Sequence, residues 1–307
     1  VTGRLIHTGQ VMIDLVLRIP SMPARGGDVL ASEMALTPGG GFNVMAAAAR
    51  SGADVVYAGA HGTGGFGDVI RAALAAEGVT ATQAPSESSD TGVAVALVEK
   101  DGERTFVTGT GAEAHLQPAQ LDAVGVGPAD LVYVSGYSLL YESNREALLA
   151  WLPRLPGSRV LFDPGPLGAS APADVLGRIL STVDVLSCNA PEARALAGVT
   201  DLDGAARLLA GRLAAGAVVV VRDGPAGCLI RERDETTTVP AFAVDAVDTN
   251  GAGDAHCGVL AAELLHGTAP ADAALRANAA AALSVTRHGP ATAPTRAEID
   301  KLLLSRQ

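Results

Sequence analysis

The residues with the plainest chemical potential in this chain are Asp248-Thr249-Asn250-Gly251-Ala252-Gly253-Asp254, which run directly into the helical stretch Ala255–Leu265. Glycines let successive backbone N–H groups turn together toward an anion, and the start of a helix adds its positive end. Gly251, Ala252 and Gly253 are therefore suited to holding a phosphate oxygen. The carboxylate beside them, Asp254, can accept the proton of an attacking hydroxyl, which in-line phosphoryl transfer requires along with electrostatic stabilisation. By type and spacing alone the same turn serves equally as a helix cap, because Asp is a favoured capping residue. Pro38-Gly39-Gly40-Gly41-Phe42-Asn43 has a similar double reading. Gly40 and Gly41 allow a polar ligand to approach the backbone and Asn43 offers both donor and acceptor, or the segment merely starts the helix Val44–Arg50. Asn189-Ala190-Pro191-Glu192 reads by itself as a capped helix start with Pro191 in the first turn. Arg222-Asp223-Gly224-Pro225-Ala226-Gly227 reads as a tight turn after a strand.

These residues need elements to carry them. Short β-branched runs at Val55–Ala58, Leu131–Val134, Val160–Phe162, Val183–Ser187 and Val218–Arg222 alternate with helical stretches. The helices are Asn43–Ser51, Gly67–Glu77, Arg145–Leu152, Pro191–Ala197, Gly204–Ala215 and Asp254–Leu265, with Gly52, Gly78 and Gly198 where a helix must stop. Such alternation is the pattern of a parallel sheet covered by helices on both faces, and several strands are continuously apolar, as doubly buried strands are. Residues about 11–36 and 91–108 break the rhythm and read as strands without intervening helices. Asp101-Gly102 makes a hairpin turn between Val93–Val98 and Arg104–Val107, predicting a small antiparallel flap. No repeat or long linker interrupts the chain, so a single domain over 1–307 is expected, with a lid subdomain from about 11–36 and 91–108. Hydrophobic residues are 48% of the chain but aromatic residues only 3%, so the core must rest on Ala, Val and Leu in close helix-to-sheet packing.

Asp-Thr-x-Gly-Ala-Gly-Asp, late in the chain and preceded by the glycine loop at 38–43, resembles the two signatures of the ribokinase-like PfkB carbohydrate kinase family, in family order. The resemblance implies an α/β fold, with a mostly parallel sheet flanked by helices and a small β-sheet lid. It implies transfer of the γ-phosphoryl group of ATP to a hydroxyl of a sugar or related polyol, with Asp254 as general base and Gly251, Ala252 and Gly253 as the anion hole. Gly9 through Asp14 resembles the family's first strand, which makes Asp14 the acceptor for two sugar hydroxyls. Gly40, Gly41 and Asn43 then complete the sugar site, and Tyr137 falls where ribokinase has a substrate-contacting acid. That replacement, and a glycine loop one residue shorter than ribokinase's, point to a sugar other than ribose. The match of Asn189 and Glu192 to the family's Asn-x-x-Glu implies Asn189 near the nucleotide phosphates and Glu192 organising the water shell of Mg2+, which dehydrates reluctantly and suits an indirect hold. Arg222, Gly224 and Gly227 match the nucleotide-binding Thr-x-Gly-x-x-Gly turn, with Arg222 in place of Thr, and Asn278, within Ala273–Leu283, matches a position near adenine. Asp248, Asn250, Ser284, Arg287 and Gly289 match a backbone-oxygen site for a monovalent cation, implying K+ as an activator. Lid pairing in the family implies a homodimer.

Other chemistries find little support. A net charge of −11 argues against attraction to nucleic acid or anionic membrane. Cys188, Cys228 and Cys257 are odd in number and lack CxxC spacing, which reads as a cytoplasmic protein without a disulfide framework or zinc site. No charged-then-apolar leader opens the chain, and no apolar stretch reaches the roughly 20 residues of a membrane span. Gly62-Thr63-Gly64-Gly65-Phe66-Gly67 is a literal GxGxxG, yet the next strand, near Val79–Gln83, has no acid to hold a ribose. Lys100 and Lys301 are the only lysines and neither lies in a Walker loop. Phosphate charge must therefore be met by helix N-termini, Mg2+ and Arg104, if the flap brings Arg104 over the sugar. His7, His61, His115, His256, His266 and His288 show no HExxH pairing and read as structural or surface residues. Two alternatives stay open. A nucleoside kinase of the same family would use Phe42 as a base-stacking ring. A non-catalytic sugar-binding regulator would have lost the base or the anion-hole glycines, whereas Asp254, Gly251 and Gly253 are intact.

Overall fold

The computed structural model describes residues 3–305, so the expected domain of 1–307 runs two residues beyond that range at each end. In chain order the strands are β1 (Arg4–His7), β2 (Val11–Arg18), β3 (Glu33–Gly40), β4 (Asp54–Tyr57), β5 (Thr80–Ala81), β6 (Val93–Val98), β7 (Arg104–Gly109), β8 (Leu131–Ser135), β9 (Arg159–Asp163), β10 (Val185–Asn189), β11 (Val218–Arg222), β12 (Cys228–Glu232) and β13 (Glu235–Val239). The helices are α1 (Gly41–Arg50), α2 (Gly65–Ala76), α3 (Pro118–Asp122), α4 (Glu142–Trp151), α5 (Ala173–Leu180), α6 (Ala190–Ala197), α7 (Leu202–Ala210), α8 (Ala252–Leu265), α9 (Pro270–Ser284) and α10 (Arg296–Leu304).

Among the described residues a nine-stranded sheet runs β13-β12-β11-β10-β9-β8-β1-β4-β5. It is parallel from β5 through β11, and the β12–β13 hairpin closes one edge antiparallel. From β1 the chain goes first to one side, through β4 and β5, and later to the other, through β8 to β11. The order therefore reverses between β1 and β8, and in open α/β sheets ligands bind at the carboxyl ends of strands at such a reversal. Alternate strand residues serve the two faces. Leu5, Val55, Leu131 and Tyr133 pack with α1, α2, α8, α9 and α10, while Ile6, Val56, Val132 and Phe162 pack with α3 to α7. The small-residue core expected from composition is visible where α8 meets α1: a Cβ on Gly258 would lie 2.3 Å from the Val44 carbonyl oxygen.

The second sheet, β3-β2-β6-β7, is the lid. Its β6–β7 hairpin turns at Asp101-Gly102 as expected, but the lid is not purely antiparallel, because β2 and β6 pair in parallel. Each enters the lid from the main sheet after one of its parallel strands, β1 and β5, and so keeps their direction. Three further expectations need correction. Gly9–Asp14 is not the first core strand: β1 precedes it, and Asp14 stands on lid strand β2. Residues 19–32 carry no strand, so the first lid segment is two strands ending at Gly40. The helix from Gly204 ends at Ala210 rather than Ala215, where Gly211 caps it and the chain turns into β11. Among the described residues no helix is long and apolar enough to cross a membrane.

Candidate active site

The carboxyl ends of β1, β8, β9, β10 and β11 and the first turns of α1 and α8 converge at the reversal. Helix α8 starts from Gly251, whose φ of 77° is left-handed and whose Cβ would fall 2.0 Å from the Pro290 carbonyl oxygen. Only glycine fits there, which closes the turn and leaves the first N–H groups of α8 without intrahelical partners. Asp248 braces the turn from below. Its carboxylate accepts hydrogen bonds from Asn250 N (3.0 Å) and Gly289 N (3.2 Å), and the backbone N–H groups of Val247 and Asp248 both donate to the Val285 carbonyl. Burial acts to raise the Asp248 pKa, but the Asn250 amide, Arg104 and the Gly289 amide together hold it below the usual carboxylate range.

Asp254 lies in the first turn of α8. Asn43 of α1 donates from Nδ2 to Asp254 Oδ2 at 2.9 Å, while Asn43 Oδ1 is buried and has no partner. Burial pushes the Asp254 carboxyl up to about 6; Asp163 and Asp14 add to the rise, and Asn43 and Arg222 oppose it. A base in that range is ionised at neutral pH and still basic enough to take a hydroxyl proton. Across the crevice, burial alone raises Asp14 to about 6. Gly39 on β3 makes room for it, since a Cβ there would lie 2.1 Å from Asp14 Oδ2. Gly40 has a φ of 61°, and a Cβ on Gly41 would strike the His7 ring at 2.1 Å. His7, set aside in the sequence with the other histidines, thus floors the glycine loop. It stacks on Tyr133 (ring centroids 4.5 Å), accepts from Gly9 N at Nδ1, and is kept neutral by burial, with its pKa pushed down to about 3.

On the opposite side Asn189 and Glu192 form a reciprocal helix cap. Glu192 N donates to Asn189 Oδ1 (2.9 Å), while Asn189 N and Nδ2 donate to the two oxygens of Glu192 (2.7 and 2.8 Å). Burial and Asp163 raise the Glu192 pKa, against the Asn189 amide and Arg222. Gly224 and Gly227, at φ values of 53° and 94°, make the hairpin between β11 and β12. Arg222 points inward from the end of β11 and does not join that turn. Its Nη1 reaches Asp163 Oδ2 (3.2 Å), the Gly253 carbonyl (3.3 Å) and Ser187 Oγ (3.4 Å) and touches the Cys257 sulfur, and its Nη2 lies 3.6 Å from Glu192. Burial acts against the guanidinium charge, yet Cys257, Asp163 and Glu192 hold its pKa well above the usual value.

Tyr137, on the turn after β8, is 41% exposed and lies against Gly165. Burial raises its pKa, with Asp254, Glu192 and Asp163 adding to the rise. Asn278 is committed to backbone, donating to the carbonyls of Val239 (3.2 Å) and Pro240 (3.1 Å). The carbonyls of Ser284 and Gly289 converge on the Thr292 hydroxyl (3.0 and 3.2 Å), and Arg287 pairs with Glu298. The flap does bring Arg104 over the site, but onto the turn: its guanidinium pairs with Asp248 at 3.1 Å. Phe42 is in the core, so the nucleoside alternative loses the ring it relied on. The GxGxxG turn is already filled, because the Asp90 carboxylate accepts from Phe66 N (3.0 Å) and Gly67 N (2.8 Å) where a pyrophosphate would have to sit. Asp163 was missed in the sequence; its place in Phe162-Asp163-Pro164-Gly165, a turn closing a predicted strand at the sheet's carboxyl edge, was the available signal.

The chain matches known proteins along its length. The model of the pfkB family carbohydrate kinase matches residues 3–296. The sugar kinase YegV of Escherichia coli (strain K12) is 33% identical over 294 residues, covering 95% of this chain and 91% of that protein. A Klebsiella pneumoniae fructokinase is 31% identical over 309 residues, covering 95% and 96%. In three dimensions the chain is similar to the crystal structure of ribokinase from Thermotoga maritima, with a TM-score of 0.84 at 26% identity, covering 98% of this chain and 99% of that one.

Proposed function

The chain belongs to the pfkB family of carbohydrate kinases, and from that premise we propose that it moves the γ-phosphoryl group of ATP to a hydroxyl of a sugar or related polyol, with Asp254 as the base. The observation that carries this reading is the Asn43–Asp254 hydrogen bond across the helix tip at the sheet reversal, with Asp14 on the lid opposite. Asn43 holds one oxygen of Asp254 and leaves the other free to accept the proton of the acceptor hydroxyl. Asp14, with the partnerless Asn43 Oδ1 and the backbone of Gly40 and Gly41, would hold the sugar's remaining hydroxyls. The first amides of α8, at Gly251, Ala252 and Gly253, would face the phosphoryl oxygens where negative charge gathers in transfer. The lid over these groups would exclude water that would otherwise receive the phosphate.

Nucleotide would lie along Asn189, Gly224, Gly227 and Asn278. Asp163, Glu192 and Asp254 set three carboxylates against the single guanidinium of Arg222, an excess of negative charge that fits a divalent cation. Both Glu192 oxygens already accept from Asn189, which fits a hold through water. Magnesium, when bound with ATP, shields the β- and γ-phosphates. The converging carbonyls of Ser284 and Gly289 beside Asp248, with Asn250 and Arg287 on the same two loops, support a K+ site. The lid face away from Asp14 leaves Met34, Leu36 and Val107 exposed, which supports a homodimer through the lid. Three free, buried cysteines suit the cytoplasm. Coupled detection of ADP release across pentoses, hexoses, sugar acids, sugar phosphates and nucleosides tests the reading. Turnover on a sugar or polyol is expected. Turnover on nucleosides alone, or sugar binding without ADP release, would refute it.

A further inference from the structure

The resemblance puts Arg222 among the nucleotide contacts, in the place of a threonine, yet its side chain turns away from the β11–β12 hairpin and lies under the tip of α8. It is 13% exposed and braced on one side by Asp163 and on the other by Glu192. Asp163 is itself held, accepting a hydrogen bond from the Cys257 thiol at 3.0 Å. The decisive contact is Nη1 to the carbonyl oxygen of Gly253 at 3.3 Å. That carbonyl shares a peptide plane with the N–H of Asp254. In a trans peptide the two point in opposite directions, so drawing the oxygen down toward Arg222 turns the N–H away from it. The Asp254 N–H belongs to the first turn of α8, where no intrahelical acceptor exists. Planar and forked, a guanidinium can hold Asp163, Ser187, Glu192 and a carbonyl at once; an ammonium cannot.

We propose that Arg222 is the positioning residue of the phosphoryl-transfer turn: anchored by Asp163, it grips the Gly253 carbonyl and so aims the Asp254 N–H, next to the amides of Gly251, Ala252 and Gly253, at the transferring group. Arg222 acts through the backbone and does not touch the sugar. The inference rests on the kinase reading above, and its test separates the two. Arg222→Lys keeps the charge and loses the fork. The double variant Arg222→Met with Asp163→Asn removes the buried Arg222–Asp163 charge pair together, and Glu192 keeps its two hydrogen bonds from Asn189.

The assay measures kcat, the KM for the accepted sugar, Mg·ATP affinity by calorimetry and melting temperature. With Arg222→Lys, kcat is expected to fall about 10–100-fold, the range for partners that orient a site from behind, with sugar KM unchanged and the fold retained. The double variant is expected to be folded and no more active than Arg222→Lys. Wild-type kcat in either variant overturns the assignment, because Arg222 would then be only a counter-ion for Asp163. Loss of fold in both overturns it too, making the residue structural. If no sugar or polyol raises ADP release by the wild-type protein, the kinase reading has failed. Arg222 is then judged on Mg·ATP affinity, expected to weaken in Arg222→Lys; unchanged affinity would refute the positioning role.

Discussion

Replacing Asn43 by alanine tests the base through its own ionisation. Asn43 Nδ2 is a side-chain donor to Asp254 Oδ2, at 2.9 Å, and it works against the burial that raises that carboxyl to about 6. A hydrogen bond to a charged group contributes roughly 1.5–3 kcal/mol, and one pKa unit corresponds to about 1.4 kcal/mol, so its loss should raise Asp254 by about 1–2 units. Taking a rise of about 1.5 units, the ionised fraction at pH 7 drops from about nine-tenths to about one-quarter. The assay is kcat/KM for the accepted sugar from pH 5 to pH 9, which reports the free enzyme's groups. In the wild-type protein Asp14 and Asp254 both titrate near 6, so the acid limb should steepen toward a slope of two below that pH. In Asn43→Ala the limb should split, one group staying near 6 and the other moving above 7, with the Asp254 deficit recovered as pH rises. Any lost sugar contact from Asn43 Oδ1 would appear instead as a pH-independent drop. An unsplit limb still centred near 6 would refute Asp254 as the group that Asn43 tunes.

Asp254→Asn should lower kcat by about 10²–10⁴ while sparing sugar affinity in calorimetry; retained turnover would remove the base assignment. Asp14→Asn should raise the sugar KM and, at pH 7.5, raise stability by up to about 3 kcal/mol in denaturant titrations. The folded pKa of Asp14, about 6, lies above the unfolded 3.8, so the folded state holds the extra proton between these values and stability is lost progressively from about pH 4 to a full cost above about pH 6; the gain from Asn should vanish below pH 4, and a gain that persists there would contradict the burial argument. Gly251→Ala forces a side chain into left-handed backbone against the Pro290 carbonyl and should cost roughly 2–4 kcal/mol, with turnover lost alongside, as melting and ADP release would show.

How much of this was legible in the sequence depended on how local the cause was. The strand Val218–Arg222, apolar through Val221, is recovered residue for residue as β11, and Gly198 stops α6 as expected, because strand and cap depend on neighbours in the chain. The glycine turn at 251–253 was legible for the same reason. The parallel β2–β6 pairing was not, since it follows from where the lid strands leave the main sheet. Nor was the inward course of Arg222. Nothing in the residues around 222 records that Asp163 waits 59 positions earlier in the chain, on β9, two strands over from β11 with β10 between them. His7 escaped notice because its work is steric, under Gly41, and no spacing marks a floor. Asn189-x-x-Glu192 was legible as a cap, which is formed, and Glu192 faces Arg222 at the carboxyl edge.

Among the described residues the lid and the turn at 248–254 are joined by the ion pair of Arg104 with Asp248, and its exposure decides what that joint can do. Asp14 and Arg104 lie on the same face of the lid, as the register through Ala94 and Val98 requires. On the proposed reading, lowering Asp14 onto a sugar would also bring Arg104 to the carboxylate that braces the turn at 251–253. Were the pair dry, it would lock the lid, because parting buried charges strands both of them. Arg104, however, is 39% exposed, and such pairs contribute about 1 kcal/mol or less, a factor of roughly five in population. In the proposed kinase such a pair would bias the lid toward closure over sugar without keeping a phosphorylated product inside. The tight connections, Asp248 to the amides of Asn250 and Gly289 and Asn43 to Asp254, lie within the main body, where geometry must not change between turnovers. A weak joint to the lid and tight contacts beneath it are what the proposed transfer to an alcohol, rather than to water, would demand.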